Sequence, residues 1–312
     1  MPYARPPRPL RTLLLVAVVL LPLCGAGWLA WRTAGPGGDR GPGPAPDASP
    51  TRDRDRQGGA ERVPSPDGGA SPEAERPLRG RTIVLDPGHN PSNHRHPEEI
   101  ARRVDVGTHR KACDTTGTES EAGYPEARFT LDLARRVRDL LERRGARVRL
   151  TQDGDRPWGP CIDERAALGN RAGADAAVSL HADGSAPGDR GFHVILPASV
   201  REGRADTTAV VGPSRRLGEA LAARFGRATG TRPADYTGGG DGLVTRDDLG
   251  GLNLTRVPKV FLECGNMRDP RDAALLGDAQ WRGRAARGVA DGIADFLLTE
   301  RSQKNRTPGN RP

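Results

Sequence analysis

The chain has 312 residues, 48 of them Lys or Arg against 40 Asp or Glu, with 41 Gly, 28 Pro and four Cys. Only three of the basic residues are Lys, and residues 81–299 hold 33 basic and 31 acidic side chains, so most of the net charge of +8 lies in the flanks. No basic stripe is available to track a phosphate backbone, which excludes nucleic acid as the expected partner. The length admits one domain with long appendages, or two domains.

Residues 1–11 carry Arg5, Arg8 and Arg11, and Thr12 to Trp31 follows as twenty residues without a charge, closed by Arg32. That run is long enough to span a bilayer, and the basic flank keeps the N-terminus inside. Residues 1–32 are therefore expected to be a signal-anchor, with a cleaved signal peptide as the close rival. Leu21-Pro22-Leu23-Cys24 weakly resembles a lipoprotein cleavage site, but the large Leu23 before the cysteine argues against it. All three readings export the rest of the chain. Residues 33–80 hold hardly a large apolar side chain, so burial could not offset their ordering entropy. They are expected to be a disordered Pro/Gly-rich linker, and residues 300–312 a polar tail.

Strand-like and helix-like patterns alternate over 81–299. A β-branched run, Thr82-Ile83-Val84-Leu85, stops at Asp86-Pro87-Gly88 with His89 just beyond. A polar, turn-rich stretch over 90–124 is too long for an ordinary connection. Pro125-Glu126 opens a helix with Phe129, Leu133, Val137, Leu140 and Leu141 at helical spacing, ended by Gly145. A strand over 147–151, a helix over 163–172 and a second strand, Asp175 to His181, follow. A strand over 191–196 and a helix over 213–229 come next. Residues 230–257 are loop-rich, and residues 258–263 form the last strand. Helices near 270–277 and 280–298 close the domain. This alternation predicts a single three-layer α/β/α domain with a mostly parallel or mixed central sheet.

Three of the strands deliver a histidine or a carboxylate at their far ends: His89, His181 and Glu263. Ligands gather beyond the carboxyl ends of strands in open α/β sheets. Glu126 stands in the first turn of an amphipathic helix. Two histidines and a carboxylate with an open fourth position make a catalytic zinc site. The alternative is that the histidines merely finish strands and Glu126 is an acid favoured by the helix dipole. Glu119 and Glu121 are rival ligands but have no helix to fix them. His94, His96 and His109 are expected to be solvated loop residues, and His193 a surface or structural one. Asp86 is either an acceptor that orients His89 or a turn-stabilising aspartate.

Leu-Asp-Pro-Gly-His-Asn at 85–90, the helix-opening Glu126 with Leu131 and Ala134, Val-Ser-Leu-His-Ala-Asp at 178–183, and Phe-Leu-Glu-Cys-Gly-Asn-Met at 261–267 resemble the zinc-dependent N-acetylmuramoyl-L-alanine amidases of the amidase-3 type. Cys-Asp-Thr-Thr-Gly-Thr at 113–118, Gly-Tyr-Pro-Glu at 123–126, Gly-Pro-Cys-Ile-Asp-Glu-Arg at 159–165 and Asp-Leu-Gly-Gly-Leu-Asn-Leu at 248–254 resemble its actinobacterial branch. The resemblance covers nearly all of 81–299. It implies zinc held by His89, Glu126 and His181, with Glu263 as catalytic acid/base. It also implies cleavage of the amide between N-acetylmuramic acid and L-alanine in peptidoglycan, outside the cytoplasm. Cys113 and Cys161 match paired positions of that branch and are expected to be bridged. Cys264 departs from the usual residue after the catalytic Glu and is expected to be a free thiol. The membrane, through the N-terminal segment, and peptidoglycan are the expected partners, and a monomer the expected state. The alternatives are another cell-wall zinc peptidase and a non-catalytic wall-binding or regulatory protein.

Overall fold

A computed structural model describes residues 76–306. The elements in chain order are β1 (Thr82–Pro87), α1 (Pro97–Ala101), β2 (Arg103–Asp105), β3 (Arg110–Ala112), α2 (Glu126–Arg143), β4 (Arg147–Leu150), α3 (Ile162–Ala172), β5 (Ala176–Asp183), β6 (His193–Pro197), β7 (Arg201–Glu202), β8 (Ala205–Asp206), α4 (Val211–Thr229), β9 (Leu243–Arg246), α5 (Gly250–Asn253), β10 (Lys259–Asn266), α6 (Pro270–Gly277) and α7 (Ala279–Arg306). The central sheet has six strands in the order β4-β1-β5-β10-β6-β9. β4, β1, β5 and β10 run parallel, while β6 runs antiparallel to β10 and β9 pairs parallel with β6. The sheet is therefore mostly parallel with a reversed edge.

Period-two alternation gives the two faces different jobs. Ile83, Leu85, Val178, Leu180, Val260, Leu262, Val194 and Leu196 point to one face and form the main core. α2, α4 and α7 cover that face. On α2 the stripe Phe129, Leu133, Val137 and Leu141 is fully buried, which is what its helical spacing demands. Gly145, with φ 90°, turns the chain into β4. Cys264 joins this same core as a free thiol, facing away from Glu263. The other face carries Asp86, Ser179, His181, Lys259, Phe261, Glu263 and His193. Its helical cover is thin: α3, the single turn α5 and a small cluster of Val84, Ala174, Ala177 and Val257. Loops close over the rest, so the polar face has room for a site.

Several elements differ from the sequence reading. The 90–124 stretch is not structureless but holds a 3₁₀ turn at Asn93–Arg95, α1 and the β2–β3 hairpin. β9 lies within the stretch read as loop-rich, a four-residue edge strand too short to show a period. Leu78 is fully buried and its N–H donates to the Arg144 carbonyl at 2.9 Å, so ordered packing begins before residue 81. α7 continues to Arg306, past the helix expected to end at 298. The anchor expected over 12–31 and most of the 33–80 linker lie outside the described residues. Among the described residues no helix is long and apolar enough to cross a membrane.

Candidate metal centre

Three loops and one helix end meet beyond the carboxyl ends of β1 and β5. β1 stops where the Gly88 N–H donates to the Leu180 carbonyl at 2.9 Å. A Cβ on Gly88 would lie 2.3 Å from the His181 ring, so only glycine lets the two strand ends come this close. His89 follows with φ 61°, the only positive φ outside glycine among the described residues. A histidine in the left-handed region is uncommon, and strain of this kind gathers at functional sites. It turns the imidazole back over the sheet towards the first turn of α2.

His89 Nδ1–H donates to the Thr115 carbonyl at 3.0 Å, which leaves Nε2 facing Glu126 Oε2 at 3.2 Å. His181 Nδ1 meets Glu126 Oε1 at 2.8 Å. One ligand-capable atom from each of His89, Glu126 and His181 lies within 4.8 Å of the others, and no other such group occurs among the described residues. The Thr118 and Ala182 N–H groups donate to the Glu126 carboxylate at 3.0 and 3.2 Å and fix its orientation. Burial alone would lower the His89 pKa, but Glu126 and Asp114 outweigh it and hold it at about 10. Burial would raise that of Glu126, yet the two histidines hold it well below the usual range. Two imidazoles and a buried carboxylate converging on one point suit a divalent metal of borderline softness.

Glu263 is paired in register with His181 on one side and His193 on the other. Burial, then the nearby Glu126 and Asp183 carboxylates, push its carboxyl well above the ordinary range. The Glu263 and Glu126 carboxyls are therefore shifted in opposite directions.

The positions of the other candidates are also plain. Glu119 and Glu121 are exposed and stay outside the group, lining a polar groove of about 730 Å³ that also takes in His94, Arg128 and Arg268. His94 and His109 are exposed, and His96 pairs with Glu99 at 3.1 Å. His193 is not a surface residue: it is 6% exposed. Asp86 does not orient His89. It faces down the sheet, where Thr151, Ser179, Arg165 and Lys259 donate to it at 2.7, 2.6, 2.8 and 3.1 Å. Burial would raise its pKa, but Lys259 and Arg165 hold it far below the normal value. The acid beside His89 is Asp114, whose Oδ1 lies 3.5 Å from Nδ1.

The residue that joins these parts is Arg165, absent from the sequence candidates. Its guanidinium donates to Asp86 at 2.8 Å and Asp114 at 2.9 Å. It also donates to the carbonyls of Pro87, His89 and Pro160 at 2.6, 3.1 and 2.9 Å. One buried cation thus clamps the backbone on both sides of His89. Cys113 and Cys161 form a disulfide that ties the Asp114 loop to the start of α3. A smaller cavity of about 210 Å³ lies next to the metal triad, bounded by His89, His181, Phe261 and the turn at Leu249–Gly251.

The N-acetylmuramoyl-L-alanine amidase family Amidase_3 matches residues 83–295, which is the whole sheet with the residues just described. The chain belongs to this family. An N-acetylmuramoyl-L-alanine amidase of Mycobacterium tuberculosis is 38% identical over 224 residues, covering 72% of this chain and 89% of that protein. The probable cell wall amidase LytH of Staphylococcus epidermidis is 26% identical over 222 residues, and the match covers 71% of this chain and 60% of the staphylococcal protein. Among solved structures, the amidase Ami1 of Mycobacterium smegmatis superposes with a TM-score of 0.66 at 39% identity, covering 71% of this chain and 99% of that one. The amidase fold thus spans the sheet and its helices, and the metal triad, Glu263, the disulfide and the Arg165 clamp all lie inside the matched region.

Proposed function

We propose that this amidase domain hydrolyses the amide joining the lactyl group of N-acetylmuramic acid to L-alanine in peptidoglycan, with zinc held by His89, Glu126 and His181. The observation that carries the reading is the convergence of those three side chains within 4.8 Å at the end of the sheet, with the Glu263 carboxyl paired in register beside His181. The donor set, two imidazoles and one carboxylate, is that of a catalytic zinc site. The chemistry zinc supplies when bound is Lewis-acid activation of water and of the scissile carbonyl.

The chain's own residues do the rest. The Thr115 carbonyl holds the His89 tautomer that leaves Nε2 free for the metal. The Thr118 and Ala182 N–H groups keep Glu126 aimed. Glu263 takes the proton of the attacking water as the C–O bond forms, then passes it to the amide nitrogen as the C–N bond breaks. An amide nitrogen leaves poorly without that proton. The polar groove beside Glu119 and Arg268 lies next to the site and offers room for the polymer. In this reading residues 1–32 anchor or export the chain, the stretch from 33 up to the packed Leu78 holds the domain away from the membrane, and the enzyme works outside the cytoplasm as a monomer.

Digestion of purified peptidoglycan by the full-length protein tests the reading, with mass spectrometry of the products. Free stem peptides with an L-alanine N-terminus and glycan carrying an unsubstituted lactyl carboxylate are the expected products. Cleavage between two stem residues would overturn it.

A further inference from the structure

Glu263 poses a problem of positioning. Its carboxylate carries the proton traffic of the proposed reaction, yet among the described residues no donor hydrogen-bonds it. What confines it is its neighbours in the sheet. In register it sits between His181 on β5 and His193 on β6. In the antiparallel pairing with β6, directly opposite residues have Cβ atoms about 4.5–5.5 Å apart, so the His193 side chain forms a wall for Glu263, and His181 flanks it from the parallel strand β5. The His181 wall is fixed by stacking on Phe261, with ring centroids 5.2 Å apart and planes 18° from parallel. The His193 wall is fixed by Tyr236, which meets it edge-on at 6.0 Å and 89°. Tyr236 is itself pinned, because its hydroxyl donates to Asp183 Oδ2 at 2.8 Å.

His193 is maintained here at a cost. Its Nδ1 is buried and finds no partner among the described residues. A buried ring nitrogen left unpaired disfavours folding, and an apolar residue would avoid that penalty. Burial, with Arg246 nearby, also pushes the pKa of the ring down against the pull of Asp183.

We propose that His193 is a positioning residue for Glu263, and that Tyr236, anchored on Asp183, holds His193 in place. The proposal rests on the reading of Glu263 as the acid/base. It concerns a side chain outside the metal triad and outside the proton path: the imidazole closes one side of the slot that keeps the Glu263 carboxyl aimed.

The experiment measures kcat and KM of the full-length protein on a soluble muropeptide, with zinc content determined for each variant. A displacement of about 1 Å at a reacting group can cost on the order of 10²-fold, so His193→Ala should lose about 10- to 100-fold in kcat with KM nearly unchanged and full zinc. His193→Gln, which refills the slot without an imidazole, should recover most of that loss. Tyr236→Phe, which keeps the ring and drops the anchor, should lose less than His193→Ala. Combining His193→Ala with Tyr236→Phe should cost no more than His193→Ala alone, because both act through one slot. A folded, zinc-loaded His193→Ala with wild-type kcat overturns the proposal. So does a kcat that His193→Gln fails to restore, which would make the imidazole a participant in proton transfer. Glu263→Gln is the control. If that variant stays active, the functional reading fails; if it is dead while His193→Ala is fully active, only the positioning role fails.

Discussion

Arg165→Met removes the clamp and nearly keeps its volume. The guanidinium is 5% exposed and is shared between Asp86 and Asp114, which are 2% and 5% exposed at their side chains. Asp86 keeps Lys259 at 3.1 Å, but Asp114 loses its only Arg or Lys partner among the described residues. Breaking a buried ion pair from one side typically costs about 3–5 kcal/mol, because the remaining charge stays buried and unpaired. For a domain of this size each kcal/mol shifts Tm by about 2–4 °C, so Arg165→Met should unfold about 6–20 °C earlier at pH 7. Thermal unfolding in excess chelator measures this without a contribution from metal binding. The effect should also depend on pH in a definite direction. Both aspartates have folded pKa values below the unfolded value, that of Asp114 at about 2, with burial opposing and Arg165 the leading lowering influence there. The stability they contribute is present above the unfolded pKa of about 3.9 and is lost as pH falls through the folded values. The gap between wild type and Arg165→Met should therefore narrow from about pH 4 towards about pH 2. A variant within about 1 kcal/mol of wild type at pH 7, or a gap unchanged by acid, would refute the clamp.

Gly117→Ala should impair metal binding without unfolding the domain. Gly117 has φ +77°, and a Cβ there would meet both Glu126 Oε2 and His89 Cδ2 at 2.7 Å. Chelator competition should show zinc affinity down about 10–100-fold, the range for disturbed support of a ligand; unchanged affinity would mean the loop moves freely. Replacing Cys113 and Cys161 together by Ser opens a bridge of sequence separation 48, and urea unfolding should show a loss of about 4 kcal/mol on chain-entropy grounds. A loss below about 1 kcal/mol would mean the loop is held by its other contacts. Protease added to intact spheroplasts should release the domain from its N-terminal segment, whereas a protected domain would refute the proposed topology.

The candidate site was legible where chemistry coincides with the end of an element. His89, His181 and Glu263 close apolar runs, and Glu126 opens an amphipathic helix, so each position could be read from its own local pattern. Arg165, Asp114 and Lys259 could not, because the ion pairs that join Arg165 to Asp114 and Lys259 to Asp86 span 51 and 173 residues and no period links them. Arg165 did leave one trace. It lies on the α3 face shared by Ala166 and Gly169, both buried, and an arginine on a core-facing stripe asks for a buried acid. His193 was half legible: alternation separated it from Phe192, but nothing local revealed that the antiparallel β6 would pair it with Glu263. The thin helical cover over the polar face was not legible either, since the 90–124 and 230–257 stretches have no hydrophobic period and fold by draping over that face.

The central claim, that Glu263 moves the proton while His89, Glu126 and His181 hold the metal, is tested most directly by Glu263→Gln. Turnover of purified peptidoglycan is measured alongside zinc content. The expected result is full zinc occupancy with turnover reduced by about 10²–10⁴, the usual worth of general acid–base catalysis. A Glu263→Gln protein that keeps both its zinc and near-wild-type turnover would contradict the account.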